Sequence, residues 1–445
     1  MSPTSFARRR AIVMEKMHAQ GGGVAIIPTA PEVMRNADAD YPYRHDSYFY
    51  YLTGFPEPEA TLVLIAGEQD QSILFCRDKS EEREIWDGYR YGPAGAKDAF
   101  GFDACFSIDQ IDTELPKLMA NSNALFYALG SQAKLDENIQ RWLNAVRAQV
   151  RAGVSAPNAA YDIRAILNEM RLIKDDVEIA TMQRAANIAA DAHARAMRCA
   201  KPGLREYHLE AELLHEFRRN GSQFPAYGSI VAAGANACVL HYRAGDAELR
   251  DGDLVLIDAG CELDSYASDI TRTFPVNGKF SGPQKALYEI VLEAQRAAIL
   301  ATAPGKRFID GHEAAVQVLA QGMLDAGLLN KNKVGTLDDV ILNQHYRQFY
   351  MHRTGHWLGM DVHDVGDYRD PAVSATEKPS RTLMPGMVLT IEPGIYVRPA
   401  EDVPEAFWNI GIRIEDDALV TADGCRLLTH KAPKSIDDIE ALMRS

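Results

Sequence analysis

Leu254-Val255-Leu256-Ile257-Asp258-Ala259-Gly260 and Ala267-Ser268-Asp269-Ile270-Thr271-Arg272-Thr273-Phe274 are the stretches that decide the reading of this chain. Both are rich in Val, Ile, Leu, Thr and Phe, so both are expected to be β-strands. A tight turn centred on Leu263-Asp264 would join them as one hairpin, with Asp258 directly opposite Asp269. Side chains opposite each other across two strands stand about 5 Å apart, and like charges there destabilise the pair. Two such carboxylates need a compensating cation or a shared proton. A hard divalent metal is the simplest answer, because carboxylate oxygens suit Mg and Mn. The competing reading has one Asp capping a turn and the other facing water.

Further stretches bear on that choice. Val239-Leu240-His241-Tyr242 sets a histidine in an apolar run, which alone reads as a core histidine. The run from Met351 to Asp364 holds His352, His356 and His363 together with Gly355 and Gly359. Neutral imidazole is a common metal ligand and acid–base group, and a core does not explain so many histidines in one short run. Met387-Val388-Leu389-Thr390-Ile391-Glu392 ends an apolar strand on a carboxylate, where Pro393-Gly394 breaks the ladder. An unpaired Glu there would be costly to bury. In Gly411-Ile412-Arg413-Ile414-Glu415-Asp416, strand period sends Arg413 and Glu415 to one face, which could equally be a solvated one. Asp258, Asp269, His356, Glu392 and Glu415 together supply four carboxylates and one imidazole, each on or beside a strand. Such a set suits two divalent metals about 3.5–4 Å apart bridged by water.

A chain of 445 residues is expected to form more than one domain. Its net charge of −15 argues against nucleic acid and against anionic membrane surfaces, but would not repel a substrate with a free α-amino group. The six cysteines are scattered without a C-x-x-C, as expected for reduced thiols in a cytoplasmic protein. Arg8-Arg9-Arg10 is followed by too few apolar residues for a signal peptide, and no apolar run reaches transmembrane length.

Up to about Ala156, strands such as Val24-Ala25-Ile26-Ile27-Pro28 alternate with helical stretches, which indicates an α/β domain. Trp86 is expected in its core by default. Residues 158–172 are expected to be helical, and the charged stretch after them marks a boundary between domains 1–172 and 173–445. Asp175 or Asp176 would cap a long helix ending before Lys201-Pro202-Gly203. Further helices are expected over 205–219, 283–302 and 310–326. The order of helix pair, acidic hairpin, helix pair and acidic strands hints at an internal duplication.

In their order and context, Asp258, Asp269, His356, Glu392 and Glu415 resemble the dimetal ligands of the pita-bread peptidases, which include methionine aminopeptidase, prolidase and aminopeptidase P. The resemblance covers nearly the whole chain and is strongest to bacterial aminopeptidase P (Xaa-Pro aminopeptidase). Ile257-Asp258-Ala259-Gly260-Cys261, His356-Trp357-Leu358-Gly359 and Ile410-Gly411-Ile412-Arg413-Ile414-Glu415-Asp416 carry it, as do Arg35-Asn36 and Leu52-Thr53-Gly54-Phe55 in the first domain. It implies an α/β N-terminal domain and an α+β pita-bread C-terminal domain with pseudo-twofold symmetry. It implies two divalent ions, manganese by analogy, on those ligands, and release of an N-terminal residue that precedes proline by attack of a metal-bridging hydroxide. By the same resemblance Glu392 is the proton shuttle. His241, His352 and His363 line the site and hydrogen-bond substrate, and Arg413 orients a ligand carboxylate such as Asp258. The expected partners are peptides with an Xaa-Pro N-terminus and further copies of the chain, as a dimer or tetramer, with Trp86 near a neighbour's site. Arg353-Thr354-Gly355 departs from the smaller Gly-Leu-Ser type segment of close family members, which leaves the local pocket shape open. The rival readings are an Xaa-Pro dipeptidase (prolidase), a non-catalytic pita-bread binding module and a metal-independent creatinase-like hydrolase. The complete ligand set counts against the last two. The large N-terminal domain and His352 count against methionine aminopeptidase.

Overall fold

Short apolar runs separated by helices build the first part of the chain around one sheet. The computed structural model describes residues 3–370 and 377–445, and the chain divides into two compact units, Met1–Glu169 and Met170–Ser445. In the first unit Gly23–Pro28 runs antiparallel to Thr61–Ala66 and parallel to Ala124–Tyr127. Gln71–Cys76 and Ala104–Ser107 extend the sheet on one side, and Ala159–Asp162 closes the other. Val24, Ile26, Val63 and Phe75 from the strands pack with Leu115, Ile139 and Trp142 from the helices Ile111–Met119 and Ala133–Arg147.

Two expectations fail in this unit. Residues 158–172 are not one helix: Ala159–Asp162 is an edge strand paired parallel with Ala124–Tyr127, and the helix begins only at Arg164. Asp162 marks the change, accepting the backbone N–H of Arg164 at 3.0 Å. Trp86 is not in the core but is 79% exposed, beside Ile85 at 82%. Its helix, Glu81–Asp87, is capped by Ser80, carries Glu81, Glu82 and Glu84 in its first turn, and buries no residue.

The second unit contains two helix pairs and the acidic strands. Asp175 caps Asp176–Cys199 in a capping box with Glu178. Small residues along this helix (Ala185, Ala189, Ala192, Ala196) are fully buried, which lets Glu206–Arg219 pack closely against it. Gly282–Ala301, capped by Ser281, packs in the same way against Phe308–Asp325. After the first pair comes a sheet of Ile230–Ala233, Leu254–Asp258 and Thr271–Pro275. After the second comes a sheet of Val388–Ile391, Asp416–Val420 and Cys425–Leu427, beside the ladder of Gly394–Val397 with Ile410–Arg413.

The decisive hairpin forms, in a different register from the one expected. Asp258 pairs with Thr271, not with Asp269. The same register continues through Cys261–Leu263 and Tyr266–Ala267 to a turn at Asp264-Ser265, both left-handed with φ of 49° and 69°. That is the backbone a two-residue hairpin turn demands. The shift is by an even number of residues, so the two aspartates keep a common face as diagonal neighbours. At Gly260 the strands approach so closely that a Cβ would lie 1.7 Å from the Ser268 carbonyl oxygen.

Two further pairings bring in the other acids. The segment around His356 runs antiparallel to Val388–Ile391: Thr390 N–H donates to the His356 carbonyl at 2.9 Å, and Glu392 N–H to that of Thr354 at 2.8 Å. Gly355 permits this, since a Cβ there would stand 2.0 Å from the Thr390 carbonyl oxygen. Glu415 N–H donates to the Thr271 carbonyl at 3.0 Å, which lays the Arg413–Glu415 face over the hairpin. That face is not solvated, for Arg413 is 4% and Glu415 2% exposed.

Candidate metal centre

These pairings converge on one cavity of about 1070 Å³. His241, Asp258, Asp269, His352, His356, His363, Glu392, Arg413 and Glu415 all line it. The hydroxyl of Tyr227 reaches both hairpin acids, donating to Asp258 Oδ1 at 2.5 Å and lying in short contact with Asp269 Oδ1. Asp258 Oδ2 accepts from Arg413 Nη2 at 2.7 Å. Arg413 also donates from Nη1 to the Tyr396 hydroxyl at 2.9 Å and from Nε to Thr271 Oγ1 at 3.1 Å. Thr271 in turn donates to Glu415 Oε2 at 2.6 Å. One guanidinium therefore fixes Asp258 directly and Glu415 through a hydroxyl.

His356 Nδ1 lies 2.9 Å from the Trp357 carbonyl, which can only accept, so that nitrogen carries the proton. Nε2 points at Asp269 Oδ2, 3.5 Å away, and at Glu392 Oε1, 3.8 Å away, where a bound metal would take the place of its proton. A metal-binding histidine is oriented in this way. Ligand atoms of Asp269, His356 and Glu415 all lie within 4.8 Å of one another. His363 stacks on His356 with ring centroids 4.0 Å apart. His352 donates from Nδ1 to the Arg353 carbonyl at 2.7 Å and meets the Tyr396 hydroxyl with Nε2 at 2.8 Å.

The charges of this set do not balance among themselves. Burial raises the pKa of Glu392 to about 7, with Asp269 and Asp258 adding to it against His356 and Arg413. Burial likewise holds Asp269 above the ordinary carboxylate range and Glu415 well above it, neighbouring carboxylates adding in both cases. Burial opposes charge on His356 too, but Asp269 and Glu392 outweigh it and lift the imidazole to about 9. Asp416, one residue beyond Glu415, behaves oppositely. It pairs with Arg272 at 2.7 Å and Lys434 at 2.6 Å, and these cations hold it down to about 2 in spite of burial. Protein cations thus neutralise Asp416, whereas among the described residues Asp258 is the one carboxylate of the set directly paired with an arginine, and Asp269 and Glu392 face only imidazoles. All-oxygen and imidazole donors with uncompensated negative charge fit hard divalent cations.

Four contributors carry no local signal in the sequence. Tyr227 joins the aspartates across 31 and 42 residues. Tyr396 and Thr271 read as ordinary strand residues. His312 lies inside the helix Phe308–Asp325 and reaches the cavity through Thr354, Nδ1 to Oγ1 at 2.8 Å.

A buried carboxylate–imidazole set on paired strands, in a cavity of peptide size, defines the class as metallohydrolase, and comparison with known proteins agrees. The chain belongs to metallopeptidase family M24, whose model matches residues 180–422. Residues 6–127 match the aminopeptidase P N-terminal domain. The chain is 44% identical to the Xaa-Pro aminopeptidase of Escherichia coli over 445 residues, 100% of this chain and 98% of that protein. Its fold superposes on Pseudomonas aeruginosa aminopeptidase PepP with a TM-score of 0.95 at 49% identity, covering 100% of this chain and 98% of that one. Zinc-substituted Escherichia coli aminopeptidase P in complex with product gives a TM-score of 0.94 at 43% identity, with the same coverage. The architecture is accordingly an α/β N-terminal domain followed by the pita-bread domain.

Proposed function

We propose that this chain is a metal-dependent aminopeptidase that releases an N-terminal residue preceding proline. The observation that carries the reading is the single cavity into which Asp258, Asp269, His356, Glu392 and Glu415 converge. Those five would hold two divalent ions, manganese by family analogy, their four carboxylates offsetting the cationic charge. When bound, the ions supply Lewis acidity for the scissile carbonyl and lower the pKa of the attacking water.

The side chains account for the remainder. The substrate's free ammonium is drawn to the carboxylate floor, which fixes cleavage at the first peptide bond. Glu392 lines the cavity at the end of its strand and is suited to take a proton from the nucleophile and return it to the proline nitrogen. His241 and His363 face the cavity, placed to hydrogen-bond the substrate carbonyl. Burial lowers the His352 pKa to about 4, so its ring is neutral at pH 7. His352 braces Tyr396, which meets Arg413 and through it Asp258. Proline offers no N–H at the scissile bond, so the pocket selects it by shape.

A cavity of about 1070 Å³ has room beyond a dipeptide, which supports an aminopeptidase over an Xaa-Pro dipeptidase. The expected result is that Xaa-Pro-Yaa peptides are cleaved with kcat/KM at least equal to that of Xaa-Pro dipeptides, and Xaa-Ala-Yaa peptides poorly. A strong preference for the dipeptide would make the enzyme a prolidase. Equal turnover of the alanine set would remove the proline specificity.

The apolar Ile85 and Trp86, exposed on one helix, support assembly into a dimer or tetramer. Six unpaired cysteines support a cytoplasmic setting. No described helix is long and apolar enough to cross a membrane.

A further inference from the structure

We infer that Arg353 forms a carboxylate-binding subsite on the leaving-group side of the cavity, taking the carboxylate borne by the residue that follows proline. The inference rests on the peptidase reading and adds to it a choice of substrate. Arg353 lines the cavity and is exposed within it. Among the described residues its guanidinium makes no hydrogen bond or ion pair, whereas Arg413 in the same cavity is fully engaged.

Its backbone, by contrast, is held firmly. The Arg353 carbonyl accepts from His352 Nδ1 at 2.7 Å, and the next carbonyl, that of Thr354, accepts the Glu392 N–H at 2.8 Å. The Thr354 hydroxyl is gripped by Tyr350 at 2.6 Å and by His312 at 2.8 Å. A free cation on a fixed base therefore stands next to the residue paired with Glu392. Paired strands lie about 5 Å apart, and an extended peptide advances about 3.3 Å per residue. From there a long side chain meets a peptide one or two residues beyond the scissile bond.

The charge pattern suits a short zwitterion. The carboxylate floor attracts the N-terminal ammonium, and Arg353 presents a planar fork that matches a carboxylate in two parallel hydrogen bonds. Neighbouring His312 adds no second positive charge: burial, helped by Arg353 and Arg347, takes its pKa down to about 4. A tripeptide's C-terminus and an acidic side chain after proline offer the same group.

The test compares Xaa-Pro-Leu as free acid with its C-terminal amide, with Xaa-Pro-Glu amide as the side-chain arm. Wild-type enzyme should prefer a carboxylate-bearing peptide to Xaa-Pro-Leu amide by about fivefold in kcat/KM, mainly through KM. That preference should shrink at high salt. In Arg353→Gln it should fall to about one, and Arg353→Lys should restore part of it. Which of the two peptides shows the preference tells a chain terminus from a side chain. Identical ratios in wild type and Arg353→Gln across both arms would overturn the subsite. Failure to cleave any of the peptides would sink the peptidase reading instead. Calorimetric titration of the same peptides into metal-loaded protein would then decide the subsite: a carboxylate preference confined to wild type supports it, and equal affinities overturn it.

Discussion

Asp258→Asn should leave the protein folded while kcat/KM for an Xaa-Pro-Yaa peptide falls by more than about 100-fold, the upper range for losing a residue that merely orients a ligand. The substitution keeps the size of the side chain and its contact with Tyr227, 2.5 Å away in the wild type. It removes the charge that faces Arg413 Nη2 at 2.7 Å. Arg413 then loses its direct carboxylate partner, and its charge weighs more heavily against the divalent ions the site is built to hold. Elemental analysis of the purified variant should show reduced metal, with circular dichroism unchanged. Full metal content and normal turnover in Asp258→Asn would show that this carboxylate is not a ligand.

The second large effect separates two histidines four residues apart. His356→Ala should lose both metal and activity, because Nε2 faces Asp269 and Glu392 while Nδ1 is fixed on the Trp357 carbonyl. His352→Ala should keep its metal and lose about 10–100-fold in kcat, the range for removing a side chain that orients the groups around a ligand. The ring nitrogens of His352 are taken by the Arg353 carbonyl and the Tyr396 hydroxyl, and its Nδ1 lies 3.8 Å from Glu392. Equal metal loss in the two variants would erase the distinction.

The two histidines also show why so much of the site was legible. Asp258 and Glu392 end apolar runs and His356 stands beside Gly355, where a polar group is conspicuous against its neighbours. The hairpin of Asp258 and Asp269 was legible in its face but not in its register. Period two fixes which side chains share a face, but the register depends on the turn. Here the turn falls on Asp264-Ser265, both left-handed without a glycine to announce it. Ala159–Asp162 escaped notice because four residues are too few to show a period, and its place comes from pairing with Ala124–Tyr127. Tyr227, Tyr396 and His312 enter the site through contacts that only tertiary packing creates. Trp86 was misplaced because its residue type favours burial, while its short helix turns it and Ile85 outward and buries no residue.

Asp258, Asp269, His356, Glu392 and Glu415 are proposed together to hold two divalent ions needed for turnover. The most direct test is native mass spectrometry of chelated protein during stepwise return of Mn²⁺, with Xaa-Pro-Yaa hydrolysis measured on the same samples. The stripped protein should show no turnover, and activity should rise with bound metal to a plateau at two ions per chain. Full activity in protein with no bound metal would contradict the proposal.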